Sequence, residues 1–284
     1  MKPATAAADV VIVGRGASGV FVEARLAHLL RNKRVIVAER LGSGRIGGTA
    51  YGDAEQWELL LNVQAGRISA FRELPADFVR WSATVDRSNW PRRWQNHVFT
   101  ATSAVPRPAY AHYLRSRVQQ LSGRAQVDVQ PLQFELHDVQ PHADRVDLVG
   151  EARSGDTIIS GRQVVLATGH LEPRLPRALK RMAEHPQVTV DPSGQEGRQA
   201  LLDIRSDATV LIVGTGLGAM DAVLTLSSRG HRGELVLVSR HAFTHGTYPA
   251  EHLHEIPVVS AEQLNLGRLA DDAGPTRSSV VSVV

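Results

Sequence analysis

A ten-residue segment occurs twice. Val10-Val11-Ile12-Val13-Gly14-Arg15-Gly16-Ala17-Ser18-Gly19 returns as Val210-Leu211-Ile212-Val213-Gly214-Thr215-Gly216-Leu217-Gly218-Ala219. Each copy is an apolar, β-branched run, then a glycine turn, then a stretch with helical periodicity. Val20, Ala24, Ala27 and Leu30 recur at helical spacing after the first turn, and Ala222, Val223 and Leu226 after the second. Each helix leads into another short strand, Val35–Ala38 and Leu235–Val238. Strand, turn, helix, strand, twice over, is the opening of two doubly wound units. The fold expected is α/β, with two Rossmann-like dinucleotide-binding domains.

The glycines have separable jobs. Gly14 permits the tight turn, Gly16 lets backbone approach a pyrophosphate, and Gly19 lets the helix pack close to the sheet. The positive helix N-terminus then faces the phosphates. Ser18 lies inside this turn, where its hydroxyl meets a phosphate rather than attacking a substrate. Glu39 follows 20 residues after Gly19, at the end of the second strand, where a carboxylate accepts from both ribose hydroxyls. The second copy keeps Gly214, Gly216, Leu217 and Gly218, has Ala219 in the third position, and ends its second strand in Ser239-Arg240. A carboxylate there would repel a 2′-phosphate, whereas a hydroxyl and a guanidinium bind one. The second turn therefore reads as an NADPH site. Two dinucleotide sites in one chain point to a flavin, FAD, reduced by a nicotinamide.

Composition narrows the partners. The 32 basic and 29 acidic residues are interspersed, so no dense basic face marks a nucleic acid or a membrane surface. Cysteine is absent, which removes dithiol redox chemistry and thiolate metal sites. There is no apolar run of the ~20 residues a membrane helix needs. The N-terminus makes a poor signal peptide, and the expected location is cytoplasmic.

Between the copies, residues 40–66 and 84–108 read as extended loops and Ala109–Leu121 as a helix. Strands are expected at Val127–Val129, Arg145–Val149 and Thr157–Ile159, and a buried strand at Val164–Ala167 ends in the turn Thr168-Gly169. Residues 170–205 read as a crossover, and the tail Asp271–Val284 carries no assigned role. His241, His245, His252 and His254 with Glu255 match no metal-ligand spacing and read as loop residues; no metal is expected. Trp57, Trp81, Trp90 and Trp94 read as packing anchors.

Several segments together carry a resemblance. The turn G-x-G-x-S-G, Gly48-Thr49-Ala50-Tyr51-Gly52, Leu61-Asn62-Val63-Gln64-Ala65-Gly66-Arg67-Ile68-Ser69-Ala70-Phe71, Val105-Pro106-Arg107 with Tyr110 and Tyr113, and Ala167-Thr168-Gly169-His170 look like the FAD/NAD(P)-binding family of bacterial flavoproteins. Their order is similar to that of flavin-dependent N-hydroxylases acting on lysine or ornithine, and more loosely to Baeyer–Villiger enzymes. The resemblance implies a glutathione-reductase-like fold, with an FAD-binding domain at 1–172 carrying an insertion at about 52–115 and a partial NAD(P)-binding domain at 173–284. It implies Asn62 and Gln64 beside the isoalloxazine, and Arg40, Gly48, Tyr51, Arg67, Arg107, Thr168 and Gly169 among the cofactor contacts. Family members run longer, so loosely held flavin and a partner subunit completing its pocket are expected.

The function expected is an FAD-dependent, NADPH-consuming oxidoreductase, first of all a single-component monooxygenase acting on a small organic substrate. An NADPH-linked reductase or oxidase, or a non-catalytic flavin-binding subunit, are the alternatives. No acid–base pair stands out, and no catalytic residue is singled out.

Overall fold

The computed structural model describes residues 3–41, 46–51, 56–122, 127–169, 175–242 and 279–282. Gly52, His170, His245, His252, His254 and Glu255, singled out above, lie outside them, as does most of the tail. Internal contacts divide the chain into two compact units. One comprises Met1–Gly48, Leu114–Gly169 and His254–Val284; the other comprises Thr49–Tyr113 and His170–Leu253. Most of the segment expected as an insertion thus groups with the second glycine turn.

In the first unit, strand β1 (Ala4–Val13) runs into helix α1 (Ala17–Leu29) and back through β2 (Lys33–Glu39). β1 pairs in parallel with β2, Val13 opposite Ala38, and on its other side with β5 (Gly155–Leu166), Val13 opposite Leu166. β2 pairs in parallel with β3 (Val127–Pro141), Glu39 opposite Gln133. β1 is thus central, and the crevice at its C-terminal end lies between β2 and β5, where α/β sheets bind ligands. Alternate residues of β1 and β2 are buried on opposite faces. Val11, Val13, Ile36 and Ala38 pack with Phe134, Leu148 and Ile159, while Val10, Ile12, Val35 and Val37 pack with Val127, Ala167 and partly buried side chains of α1. Two covered faces explain why these strands read as unbroken apolar runs. Burial of each large aliphatic side chain is worth about 1.5–3 kcal/mol.

Strand β4 (Val146–Ala152) pairs antiparallel with the second half of β3 and the first half of β5. β3 changes partner along its length, from β2 at 127–133 to β4 at 134–141, with a register shift between Leu136 and Asp138. The expected strand Val127–Val129 is therefore only the start of a 15-residue strand. Thr157–Ile159 and Val164–Ala167 likewise belong largely to one strand. Gly161 lies within β5, at a point where a Cβ would come 2.8 Å from Val11 Cγ2. Glycine at this point allows β1 to pack closely.

Part of the tail joins the sheet. Ser279–Ser282 forms a strand in parallel with β5, Gln163 opposite Ser279 and Leu166 opposite Ser282. Two adjacent β-branched residues suit an added edge strand.

In the second unit, α2 (Gly48–Tyr51, begun in the first), α3 (Asp77–Thr84), α4 (Arg92–Gln95) and the start of α5 (Arg107–Ser122) surround an aromatic cluster. Phe78 and Tyr113 are fully buried and meet at 5.4 Å; Trp81, Trp90 and Trp94 are also buried, as packing anchors would be. The rest of the unit includes α6 (Gln195–Leu202), β6 (Val210–Val213), α7 (Leu217–Ser228) and β7 (Leu235–Val238), with β6 and β7 paired in parallel, Val213 opposite Val238.

Candidate dinucleotide-binding site

Both glycine turns are built by the same bonds. Gly14 has φ 98° and its N–H donates to the Ala38 carbonyl at 2.7 Å; Gly214 has φ 119° and donates to the Val238 carbonyl at 2.7 Å. Gly16 precedes α1 with φ −66° and ψ −174°, and Gly216 precedes α7 with φ −79° and ψ −172°. The carbonyls of Gly16 and Gly216 then accept the first helical bonds, from Val20 at 2.9 Å and from Met220 at 3.2 Å. The repeated sequence is a repeated structure.

In the first turn the glycines differ in what surrounds them. A Cβ on Gly14 would collide with the Ala167 carbonyl oxygen, and one on Gly19 with the Gly14 carbonyl oxygen. A Cβ on Gly16 would meet nothing within 4 Å. Two glycines are thus required by the protein's own packing, while the third faces open space at the start of a 13-residue helix. That space is what a phosphate approaching backbone N–H groups needs. Gly48 flanks it, its missing Cβ 3.0 Å from Gly16 Cα, and the Gly47 N–H donates to the Arg15 carbonyl at 3.0 Å. Ser18 occupies the first turn of α1, half-buried, and Thr168 and Gly169 are exposed just past the end of β5.

Glu39 accepts from the main-chain N–H of Arg15. It also lines a cavity of about 540 Å³ with Arg15, Ile46, Gln133, Arg153 and Ser154. This volume lies in the range of small-molecule pockets. Arg40, next along, is exposed and pairs with Glu135 at 3.3 Å. The Arg15 guanidinium turns away to Glu23 on α1, at 3.0 and 2.7 Å, and Glu23 is only 4 % exposed. No local signal in the sequence marks the wall formed by Gln133, Arg153 and Ser154. It comes from β3 and the β4–β5 turn, more than 90 residues beyond Glu39.

In the second turn, Gly214, Gly216 and Gly218 all have open Cβ directions, and Leu217, at the start of α7, is 39 % exposed. Ser239 is half-buried and accepts a hydrogen bond from the Thr215 hydroxyl at 3.1 Å, while Arg240 is exposed beside it. Residue 215 therefore bonds residue 239, as residue 15 bonds residue 39, but from its side-chain hydroxyl where Arg15 uses its main-chain N–H.

The segment bearing Asn62, Gln64 and Arg67 is zipped to 101–107. Arg107 N–H donates to Leu59 O, Leu61 N–H to Val105 O, Ala65 N–H to Ser103 O and Gly66 N–H to Ala101 O, all at 2.8–3.0 Å. Gln64 is buried with its amide nitrogen 3.4 Å from Thr102 O, Asn62 is exposed, and Arg67 closes a 3₁₀ turn. Arg107 donates from Nη2 to Asp221 Oδ2 on α7 at 2.5 Å. Burial drives the Asp221 carboxyl upward from the usual carboxylate range, with Arg107 opposing it. Tyr51 meets Tyr110 edge-on at 5.1 Å, and burial raises its phenol above the ordinary value.

A sequence profile described as FAD-NAD(P)-binding matches residues 11–171, more than half of the chain. The chain belongs to that family. This FAD-NAD(P)-binding member matches no curated protein sequence. Its fold is similar to that of the reduced ornithine hydroxylase of Pseudomonas aeruginosa, at TM-score 0.58 and 16 % identity over 82 % of this chain and 54 % of the other. It is also similar to an ornithine N-hydroxylase of Kutzneria sp. 744, solved with reduced FAD, NADP⁺ and L-ornithine, at TM-score 0.55 and 16 % identity over 97 % and 71 %. A cyclohexanone monooxygenase bound to cyclohexanone gives TM-score 0.50 and 16 % identity over 95 % and 45 %. The chain spans about half the length of the ornithine hydroxylase. Among the described residues no helix is long and apolar enough to cross a membrane.

Proposed function

We propose that the chain is the dinucleotide-binding part of an FAD-dependent, NADPH-consuming oxidoreductase, a flavin monooxygenase of the N-hydroxylase kind with a small organic substrate. The observation that carries this reading is one turn geometry repeated with opposite chemistry at the strand end. Glu39 suits a free ribose, and Ser239 with Arg240 suits a phosphorylated one. The first turn takes FAD. Gly16 leaves room for the pyrophosphate, the N-terminus of α1 and Ser18 receive it, and Glu39 orients the ribose. Gly14 and Gly48 shape that turn, Arg40 flanks it, and Thr168 and Gly169 close it. Tyr51, Asn62, Gln64, Arg67 and Arg107 are assigned to the flavin side. The second turn takes NADPH, with Gly214, Gly216, Leu217 and Gly218 at the pyrophosphate and Ser239 and Arg240 at the 2′-phosphate.

Bound FAD supplies hydride acceptance and reaction with dioxygen. The chain's own residues bind and orient: backbone N–H groups hold the phosphates, and Glu39 accepts from ribose hydroxyls. The test is an assay of NADPH oxidation with and without small amines. Oxidation coupled to hydroxylated product supports the monooxygenase reading. Substrate-independent oxidation that releases peroxide replaces it with an oxidase, and no turnover with flavin bound replaces it with a non-catalytic subunit.

A further inference from the structure

One face of α7 is fastened to the ladder formed by segments 56–66 and 101–107. Gly218, Asp221, Ala222 and Thr225 fall on that face at helical spacing and line a small cleft with Gln56, Leu59 and Arg107. Two polar bridges cross it. Asp221 Oδ2 accepts from Arg107 Nη2 at 2.5 Å, and two turns further on, Ser228 Oγ donates to Glu58 Oε1 at 3.4 Å. The first is the stronger bond, being charged, short and largely shielded, with 24 % and 22 % of the side chains exposed. Arg107 is also tied through its backbone, because its own N–H holds Leu59 O at 2.9 Å. From there the ladder Leu61–Val105, Ala65–Ser103 and Gly66–Ala101 continues to the 3₁₀ turn at Ala65–Arg67. Its far end has no slack, since a Cβ on Gly66 would come within 2.9–3.2 Å of three Ala101 atoms. The first copy of the motif has no such tie: the residue 200 positions before Asp221 is Phe21.

We propose that Asp221 is a positioning residue that couples dinucleotide binding at the N-terminal turn of α7 to the Leu59–Gly66 strip. The idea rests on the reading of Gly214–Gly218 as a nucleotide site. A ligand that fixes the first turn of α7 fixes Asp221 one turn later, and Asp221 fixes Arg107 and the ladder behind it. Such coupling is reciprocal, so a strip held in place also favours the ligand.

Hydrogen exchange on the full chain, with NADP⁺ as the probe and calorimetry to establish binding, tests this. Saturating NADP⁺ should slow exchange of the Leu61, Ala65 and Gly66 amides by about fivefold or more, the lower end of typical coupling between sites. In Asp221→Asn that slowing should vanish, while NADP⁺ affinity changes by no more than the same factor. Asp221→Glu should restore it, and Arg107→Gln, which breaks the bridge from its other side, should also abolish it. Slowing that persists in Asp221→Asn or Arg107→Gln overturns the coupling role. Binding without slowing in the wild type overturns it too, but leaves the nucleotide site standing. No calorimetric binding removes the nucleotide site and the coupling together.

Discussion

The Thr215 hydroxyl donates to the Ser239 hydroxyl at 3.1 Å, in the place where the Arg15 N–H meets the Glu39 carboxylate. The same position at the strand end thus presents a carboxylate in the first copy and a neutral hydroxyl followed by an exposed arginine in the second. Arg240→Ala should remove a charge-assisted phosphate contact worth about 1.5–3 kcal/mol, or roughly 10- to 150-fold in affinity. Binding titrations should show that loss with NADPH and almost none with NADH. Equal loss with both nucleotides would make Arg240 a structural residue.

The three glycines of the first turn should separate cleanly on substitution. Gly16→Val places its side chain in open space at φ −66°, so the melting temperature should hold while FAD binding is lost. Gly19→Ala drives a methyl into the Gly14 carbonyl, and overpacking of that kind costs about 1–3 kcal/mol. Thermal melts and flavin content of the two variants check both halves of the statement. A Gly16→Val protein that is folded and still binds FAD normally would remove the phosphate role.

Glu23 should matter more than its place on a helix suggests. It is buried and receives two bonds from Arg15, so Glu23→Ala should cost about 3–5 kcal/mol in denaturant melts. The exposed pair Lys33–Asp9, at 3.0 Å, should yield under about 1 kcal/mol when Lys33 is replaced by alanine. A similar cost for both would mean that burial does not set the strength of the Arg15 bridge.

The buried phenols set an alkaline limit. Burial pushes Tyr51, Tyr110 and Tyr113 above the ordinary value of 10, and Tyr113 also donates to Asp77 at 2.7 Å. The folded state therefore keeps protons that the unfolded state gives up. Their contribution is fully present below pH ~10 and is lost as pH rises toward the folded values. Denaturant melts above that pH should show falling stability, and absorbance should show these phenols ionising together with unfolding. Ionisation near 10 in the folded protein would contradict their burial.

What was legible in the sequence is what is local. Gly14, Gly16 and the strands beside them are decided within a few residues, and the copy at Gly214 makes the reading doubly constrained. Partner changes along a strand leave no such mark. β3 continues through Pro131 and a run of polar residues because β2 and then β4 take it up, which no short window records. Thr157–Ile159 and Val164–Ala167 read as two strands, and the packing of Val11 against Gly161, which lies between them in one strand, is equally invisible to a short window. The ties at the candidate site are equally remote in sequence. Arg107 and Asp221 lie 114 residues apart, and the Gln133 and Arg153 wall of the Glu39 cavity is folded in from another part of the sheet. Glu23 had a local signal, a carboxylate directly after the apolar run Val20-Phe21-Val22 and eight residues from Arg15.

Transfer of reducing equivalents from NADPH to flavin is the step that the proposed function requires first. The decisive measurement is the visible spectrum of the protein reconstituted with FAD and titrated with NADPH in the absence of oxygen. With FAD supplied in excess, the oxidised band of the wild type should be bleached by equimolar NADPH, and that of Arg240→Ala far less readily. A protein that binds no FAD even when it is added in excess, or one whose flavin is bleached by dithionite but not by NADPH, would contradict the proposed function.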